Sequence, residues 1–153
     1  MKLVIAPDKF KGSLTGLEFC DAVEKGIKKV FPQTEIVKLP LADGGDGTIE
    51  ILDFHLAGEH IKLVVSDPLF RPFDASYFYI PTIQSAFIEM AEASGMKLLH
   101  SEEQNCMNTT TYGTGELILD AMKKGAKKIV VGIGGSATND CGIGMAAALG
   151  YKF

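Results

Sequence analysis

Gly132-Ile133-Gly134-Gly135-Ser136-Ala137-Thr138-Asn139-Asp140-Cys141-Gly142-Ile143-Gly144 follows directly on the apolar run Ile129-Val130-Val131. A buried strand feeding a glycine-rich turn is the mark of an α/β sheet, and the polar functions in this turn are hydroxyl, amide and carboxylate, beside one thiol. Glycines let the backbone take φ > 0 and aim several N–H groups at one point, which suits an anion such as phosphate. The turn is therefore the first place to look for function.

Working outward, the same grammar repeats. Lys2 to Ala6 reads as a strand, a helix follows, and Glu35 to Leu39 reads as a second strand, one β-α-β unit with a parallel pair. Thr15 and Glu18 stand at capping-box spacing, so the helix is predicted to begin near Gly16. Its apolar positions Phe19, Cys20, Val23, Ile27 and Val30 recur at three and four residues, and Pro32 ends it. A further helix is expected from about Thr48 to Leu56, closed by Gly58, with a strand from about Ile61 to Ser66.

After Asp67-Pro68 the texture changes. Phe73 to Ile80 and Ser85 to Met90 are short apolar or aromatic stretches around a turn that includes Pro81, which predicts a hairpin. Phe73, Tyr77 and Tyr79 fall at even spacing, as one packed strand face would. A helix over Thr111 to Lys124, the strand Lys127 to Ile133, the glycine-rich turn and a helix over about Ile143 to Leu149 complete the chain. The expected fold is α/β: a Rossmann-like parallel sheet with helices over residues 1–66, interrupted by the start of a second, smaller α/β domain over residues 67–153.

The chain has 153 residues, of which 46% are hydrophobic and 22% charged, enough apolar surface for a packed core. Its net charge is −4 and its pI about 5.3, with the basic residues scattered, so no footprint for nucleic acid is present. No apolar run reaches the roughly 20 residues of a membrane span, and Met1 to Ala6 stops at Pro7-Asp8, too soon for a secretory signal. Cys20, Cys106 and Cys141 are widely spaced and form no C-x-x-C pair, and His55, His60 and His100 complete no zinc motif. A reducing cytoplasm is the expected setting.

Three loops fall at the carboxyl ends of predicted strands, the edge where open α/β sheets bind ligands. They are Pro7 to Ser13, Pro40 to Thr48 and the stretch after Ile133. A P-loop is excluded, since no Gly-Lys-Ser or Gly-Lys-Thr occurs. Gly132, Gly134 and Ala137 match the looser dinucleotide pattern G-x-G-x-x-A, a weak signal alone. Gly134-Gly135-Ser136-Ala137 begins like a nucleophile elbow, but Thr138 stands where the last glycine belongs. Phosphoryl transfer remains: it needs backbone amides and a cation around phosphates, a carboxylate for Mg²⁺ and a group to orient the attacking hydroxyl. Lys9 and Lys11 lie beside Ser13, Asp43 and Asp46 sit among glycines, and Asp140 closes the third turn. The competing reading is that these Asp and Gly residues only shape turns and caps. Arg71, the one arginine, either clamps a carboxylate substrate or pairs with Asp67 or Asp74.

Ala6-Pro7-Asp8, Phe10 to Leu14, Ala42-Asp43-Gly44-Gly45, Glu89 to Gly95, Thr110 to Leu117 and Gly132 to Asp140, in this order, resemble the bacterial glycerate kinase family. The resemblance covers nearly the whole chain, and its last block is the most specific. It implies ATP- and Mg²⁺-dependent phosphorylation of D-glycerate, at the 2-hydroxyl in bacterial members, in the cytoplasm, by two different α/β domains around a cleft. Within that reading Lys11 supplies phosphate charge, the amides of Gly134, Gly135 and Ser136 hold phosphate or carboxylate, and Asp43 or Asp140 holds Mg²⁺ or orients the glycerate hydroxyl. Asp8, Ser13, Gly44, Gly45, Thr138 and Asn139 complete the expected binding set. The family usually has Ser at the position of Lys9, Gly at those of Phe70 and Cys141, and Arg-Asn at Gln104-Asn105. Cys141 thus places a side chain where the family loop has only backbone. Family members are also longer, which implies an amino-terminal portion of the kinase or a shortened gene product.

Two other readings stand beside this one. A shortened, non-catalytic paralogue would bind an acid or nucleotide and, through uncovered apolar surface, associate with itself or a full-length partner. The G-x-G-x-x-A match alone would instead suggest a nicotinamide-dependent oxidoreductase.

Overall fold

The computed structural model describes every residue except Lys9, Lys11, Gly12 and Asp46. It divides into two compact units, Met1–Asp43 and Gly44–Phe153. No helix among the described residues is long and apolar enough to cross a membrane.

In the first unit, β1 (Lys2–Ile5) and β2 (Glu35–Lys38) pair in parallel around α1 (Gly16–Val30), as the spacing predicts. The capping box is formed: the Glu18 amide donates to Thr15 Oγ1 at 3.1 Å and the Thr15 amide to Glu18 Oε2 at 2.8 Å. Two of the otherwise orphaned donors of the helix start are satisfied reciprocally. Cys20 is fully buried and lies within 3.6 Å of the Ile5 carbonyl. Val30, at the far end of the predicted apolar face, is 69% exposed. Lys38 bridges Asp21 and Glu24 of α1, and hydrogen bonds from Lys28 and Lys38 pull the Glu24 carboxyl down to about 2.

The second unit is a four-stranded sheet ordered β3-β4-β5-β6, made of β3 (Glu59–Ser66), β4 (Pro72–Ile80), β5 (Ser85–Glu89) and β6 (Lys128–Gly132). The predicted hairpin is present: β4 and β5 are antiparallel around a 3-10 turn at Pro81–Ile83. The strand at Glu59–Ser66 departs from expectation. It runs antiparallel to β4, pairing Glu59 with Tyr79 through Ser66 with Pro72. The division between units consequently falls at Asp43/Gly44 instead of residue 66, since β3 and the preceding α2 (Thr48–His55) spend their contacts on the second sheet. Among the described residues only β5 and β6 are parallel there.

Between β5 and β6 the chain passes through α3 (Ala91–Ser94) and α4 (Tyr112–Lys123), and after β6 it ends in α5 (Ile143–Ala148). The core is built by Val65, Ala75, Tyr77, Tyr79, Ala86 and Ile88 of the sheet against Leu117 and Ala121 of α4. Tyr77 and Tyr79 occupy the predicted packed face, whereas Phe73 near the strand start is 38% exposed. The Tyr77 hydroxyl meets its burial requirement by donating to Asp120 Oδ2 at 2.8 Å. Burial, then that bond, pushes its pKa well above the usual phenol range. Gly113 at the start of α4 lies so close to β3 that a Cβ there would stand 1.8 Å from the Ser66 carbonyl.

Candidate functional site

The parallel pair β5/β6 places Glu89 opposite Gly132 at the carboxyl ends of both strands, the edge where α/β sheets bind ligands. Two glycine stretches meet there. Gly44 holds φ +88°, and its carbonyl accepts from the Gly134 amide at 3.2 Å. A Cβ on Gly132 would lie 2.4 Å from the Gly44 carbonyl oxygen, and one on Gly134 would lie 2.4 Å from Gly45 Cα. Glycine is required on both sides because two backbones touch where side chains would otherwise stand. Gly44 and Gly45 are thus brought against Gly132 and Gly134, so two of the three loops expected at one edge meet.

The hydrogen bonding of the turn separates its amides. Gly134 donates to Gly44, Ala137 to the Ser94 carbonyl at 2.9 Å, and Thr138 to Ser136 Oγ at 3.2 Å. The amides of Gly135 and Ser136 have no acceptor among the described residues. The hydroxyls of Ser136 and Thr138 are 2.9 Å apart. Ala137 does not open a helix, and α5 begins only at Ile143, so the G-x-G-x-x-A match lacks the strand-turn-helix geometry of a dinucleotide site.

Asp140 ties the loop together. Its Oδ2 accepts from the Thr111 amide at 2.8 Å, Thr111 Oγ1 at 2.9 Å, the Gly144 amide at 3.1 Å and Thr110 Oγ1 at 3.5 Å, while Oδ1 accepts from the Gly142 amide at 3.1 Å. Burial alone would raise its pKa, but the Thr111 amide and hydroxyl and the Gly142 and Gly144 amides outweigh it and hold the carboxyl below its usual range. Thr110 and Thr111, absent from the expected site set, are what fix this carboxylate. The signal for them was the run of three threonines before a helix.

Glu89 is a second engaged carboxylate. It is 5% exposed and accepts from the Ile49 amide at 2.7 Å, in the first turn of α2. Burial pushes its pKa up, against the lowering effect of the Ile49 and Gly47 amides. A helix N-terminus favours a negative charge, which explains a carboxylate there.

Beside Asp140 opens a cleft of about 570 Å³, lined in part by Phe70, Tyr112, Cys141, Ile143 and Ala147. Phe70 and Cys141 both sit in the left-handed region, at φ +63° and +53°. These are two positions where the resemblance has glycine, and glycine is the residue that enters this region without steric cost.

Of the other expected residues, Lys9, Lys11 and Asp46 lie outside the described residues. Asp8, Ser13 and Asp43 belong to the first unit, where all three are exposed. Arg71 is committed structurally: its Nε donates to the buried Asp67 at 2.6 Å and its Nη1 to Glu103 at 2.7 Å. The partner besides Asp67 is Glu103 in place of Asp74. Among the described residues no group of three or more His, Cys, Asp or Glu is placed to hold a metal ion.

Comparison with known proteins bears on the family. Residues 3–153 match the Glycerate kinase family. The chain is 47% identical over 153 residues to glycerate kinase of Bacillus cereus and 47% identical over 152 residues to glycerate 2-kinase of Escherichia coli, covering 100% and 99% of this chain. Among solved structures, the "putative glycerate kinase 2" of Salmonella typhimurium LT2 superposes with a TM-score of 0.83 at 47% identity over 98% of this chain. In each case the chain spans 40% of the length of the protein it matches. With the family profile matched from residue 3 to the last residue and the fold shared at that level, the chain belongs to the glycerate kinase family.

Proposed function

We propose that this chain contributes the glycine-rich half of an active site that transfers the γ-phosphoryl group of ATP to D-glycerate in the cytoplasm. The observation that carries this reading is the backbone crossing of Gly44-Gly45 with Gly132-Gly134, beside which the Gly135 and Ser136 amides have no acceptor among the described residues, at the carboxyl edge of a parallel strand pair. Phosphoryl transfer asks of the protein mainly positioning and charge stabilisation, and preformed amides supply both without reorganisation.

The roles then divide as follows. Gly135 and Ser136 amides hold phosphate oxygens, with the Ser136 and Thr138 hydroxyls beside them. Asp140 is first a positioning residue, because Oδ2 is taken up by four donors. Among the described residues its Oδ1 accepts only from Gly142, which leaves lone-pair capacity for a cation. Mg²⁺ typically uses one or two carboxylates together with substrate phosphates; either Asp43 or Asp140 would serve as such a ligand, and the ion would supply charge neutralisation on those phosphates. Lys11 remains the candidate cation, and Asp8 and Ser13 the candidate contacts from the first unit.

The test is a chimera joining residues 1–153 to the remainder of E. coli glycerate 2-kinase. It is expected to consume ATP only when D-glycerate is supplied and to form 2-phosphoglycerate, read by phosphorus NMR. A chimera that folds and leaves ATP intact with D-glycerate present overturns the proposal.

A further inference from the structure

The cleft beside Asp140 is chemically unlike a phosphate or hydroxy-acid site. None of the described residues that line it is cationic, and two of its polar groups are already spent. Thr110 Oγ1 accepts from the Tyr112 amide at 3.2 Å and faces Asp140, whose own Oδ2 is fully engaged. What remains toward the opening is apolar or aromatic. The rings of Phe70 and Tyr112 lie with centroids 5.5 Å apart, inclined by 49°. Phe70 is 62% exposed, which leaves apolar ring surface for a planar guest to cover.

The exception is Asn139. It is exposed, lines the cleft, and its carboxamide has no hydrogen-bond partner among the described residues. A carboxamide offers an acceptor and a donor side by side, the pattern that pairs with the amino group and adjacent ring nitrogen of adenine. The cleft volume of about 570 Å³ falls in the range of small-molecule sites, roughly 300 to 1,000 Å³. A triphosphate would meet the Asp140 carboxylate here, whereas a purine would find an aromatic face and an edge reader.

We infer that this cleft is a purine subsite, in which the adenine ring lies against Phe70 and Tyr112 while the Asn139 carboxamide reads its edge. The inference rests on the ATP-dependent reading above and divides the loop between two tasks. Gly135 and Ser136 serve phosphates, and Asn139, beyond Ala137 and Thr138, serves the base. Phe70 and Cys141 then act on nucleotide fit: both side chains line the cleft on left-handed backbone, so glycine at either position would widen it.

The experiment is titration calorimetry of the 153-residue chain with ATP, GTP and tripolyphosphate, for the unaltered protein, Phe70→Gly and Asn139→Asp. Phe70→Gly suits its backbone, because φ is +63° there. Base-aromatic stacking is worth about 1 to 3 kcal/mol, so loss of the ring is expected to weaken ATP binding by roughly 5- to 100-fold. Tripolyphosphate affinity is expected to stay as it was. Asn139→Asp, which can only accept, is expected to weaken ATP and favour GTP, whose base edge donates from ring and amino nitrogens. Variants that bind ATP as the unaltered chain does, or that lose ATP and tripolyphosphate equally, overturn the purine assignment and leave the kinase reading in place. A chain that binds neither ATP nor tripolyphosphate overturns both.

Discussion

The Thr111 hydroxyl donates to Asp140 Oδ2 at 2.9 Å and accepts from the Met145 amide at 2.8 Å. One side chain thereby joins the start of α4, the glycine-rich loop and the first turn of α5. Hydrogen bonds to a charged group contribute about 1.5 to 3 kcal/mol each, and a buried donor left unsatisfied costs about 1 to 3 kcal/mol. Thr111→Val is therefore expected to lower stability by about 2 kcal/mol and Asp140→Ala by about 3 kcal/mol or more, read by urea unfolding. Because both act on one network, the double variant is expected to fall short of the sum by at least about 0.5 kcal/mol. Strict additivity would show the two residues to be energetically separate.

Asp140 and Glu89 give opposite pH slopes. The Asp140 pKa is lower in the fold than the ordinary 3.8, so its contribution is complete above that value and is lost as pH falls through the folded pKa. The Glu89 pKa is raised above 4.5, so the folded state holds the extra proton and stability falls as pH rises from 4.5 through the folded value. Unfolding free energy measured between pH 3 and 8 is expected to fall less steeply on the acid side in Asp140→Asn, where Glu24 still contributes, and less with rising pH in Glu89→Gln. Unchanged slopes in both variants would refute the assignment.

Cys141→Gly tests the strain in the loop. A non-glycine residue in the left-handed region costs about 1 to 2 kcal/mol, while glycine loses about 0.5 to 1 kcal/mol through its freer unfolded chain. The difference favours glycine, and a gain of about 0.5 kcal/mol is expected in denaturant midpoint at unchanged slope. A loss of stability would mean that the Cys141 side chain packs more strongly than its exposed position indicates.

Close approaches set a harder limit. At Gly134 a methyl group would meet Gly45 Cα at 2.4 Å, and at Gly113 it would meet the Ser66 carbonyl at 1.8 Å. Neither neighbour is a flexible side-chain end, so relief requires the backbone to move, and overpacking of this kind costs about 1 to 3 kcal/mol or more. Gly113→Ala and Gly134→Ala are expected to lower the melting temperature by several degrees, Gly113→Ala the more. Gly134→Ala is also expected to weaken tripolyphosphate binding, as the adjacent amides shift.

Asp43 is the carboxylate on which the proposed chemistry leans most. In the chimera with the remainder of E. coli glycerate 2-kinase, Asp43→Asn is expected to reduce kcat by at least about 100-fold, the scale of losing one preorganised electrostatic group. Turnover near that of the unaltered chimera would remove Asp43 from the site.

Local signals carried the sequence reading far. Thr15 and Glu18 announced the start of α1, Pro81 the hairpin turn, and the run before Gly132 the strand β6, because capping, turn chemistry and strand apolarity act over a few residues. The apolar stretch Ile61 to Ser66 announced a strand but not its partner. Its antiparallel pairing with β4 depends on residues that arrive only after Asp67.

The site divides along the same line. The order of glycines, hydroxyls and carboxylates along the chain determined the family and the segments that matter, since those residues are demanded by backbone conformation and charge at fixed positions. The tertiary structure alone decided that Gly44 lies on Gly134, that Thr110 and Thr111 hold Asp140, that Arg71 is consumed by Asp67 and Glu103, and that Phe70 comes to rest beside Tyr112. Apart from the Arg71–Asp67 pair, four residues apart, each of these joins residues distant in the chain, and such contacts are selected by packing of the whole unit, which no local pattern encodes.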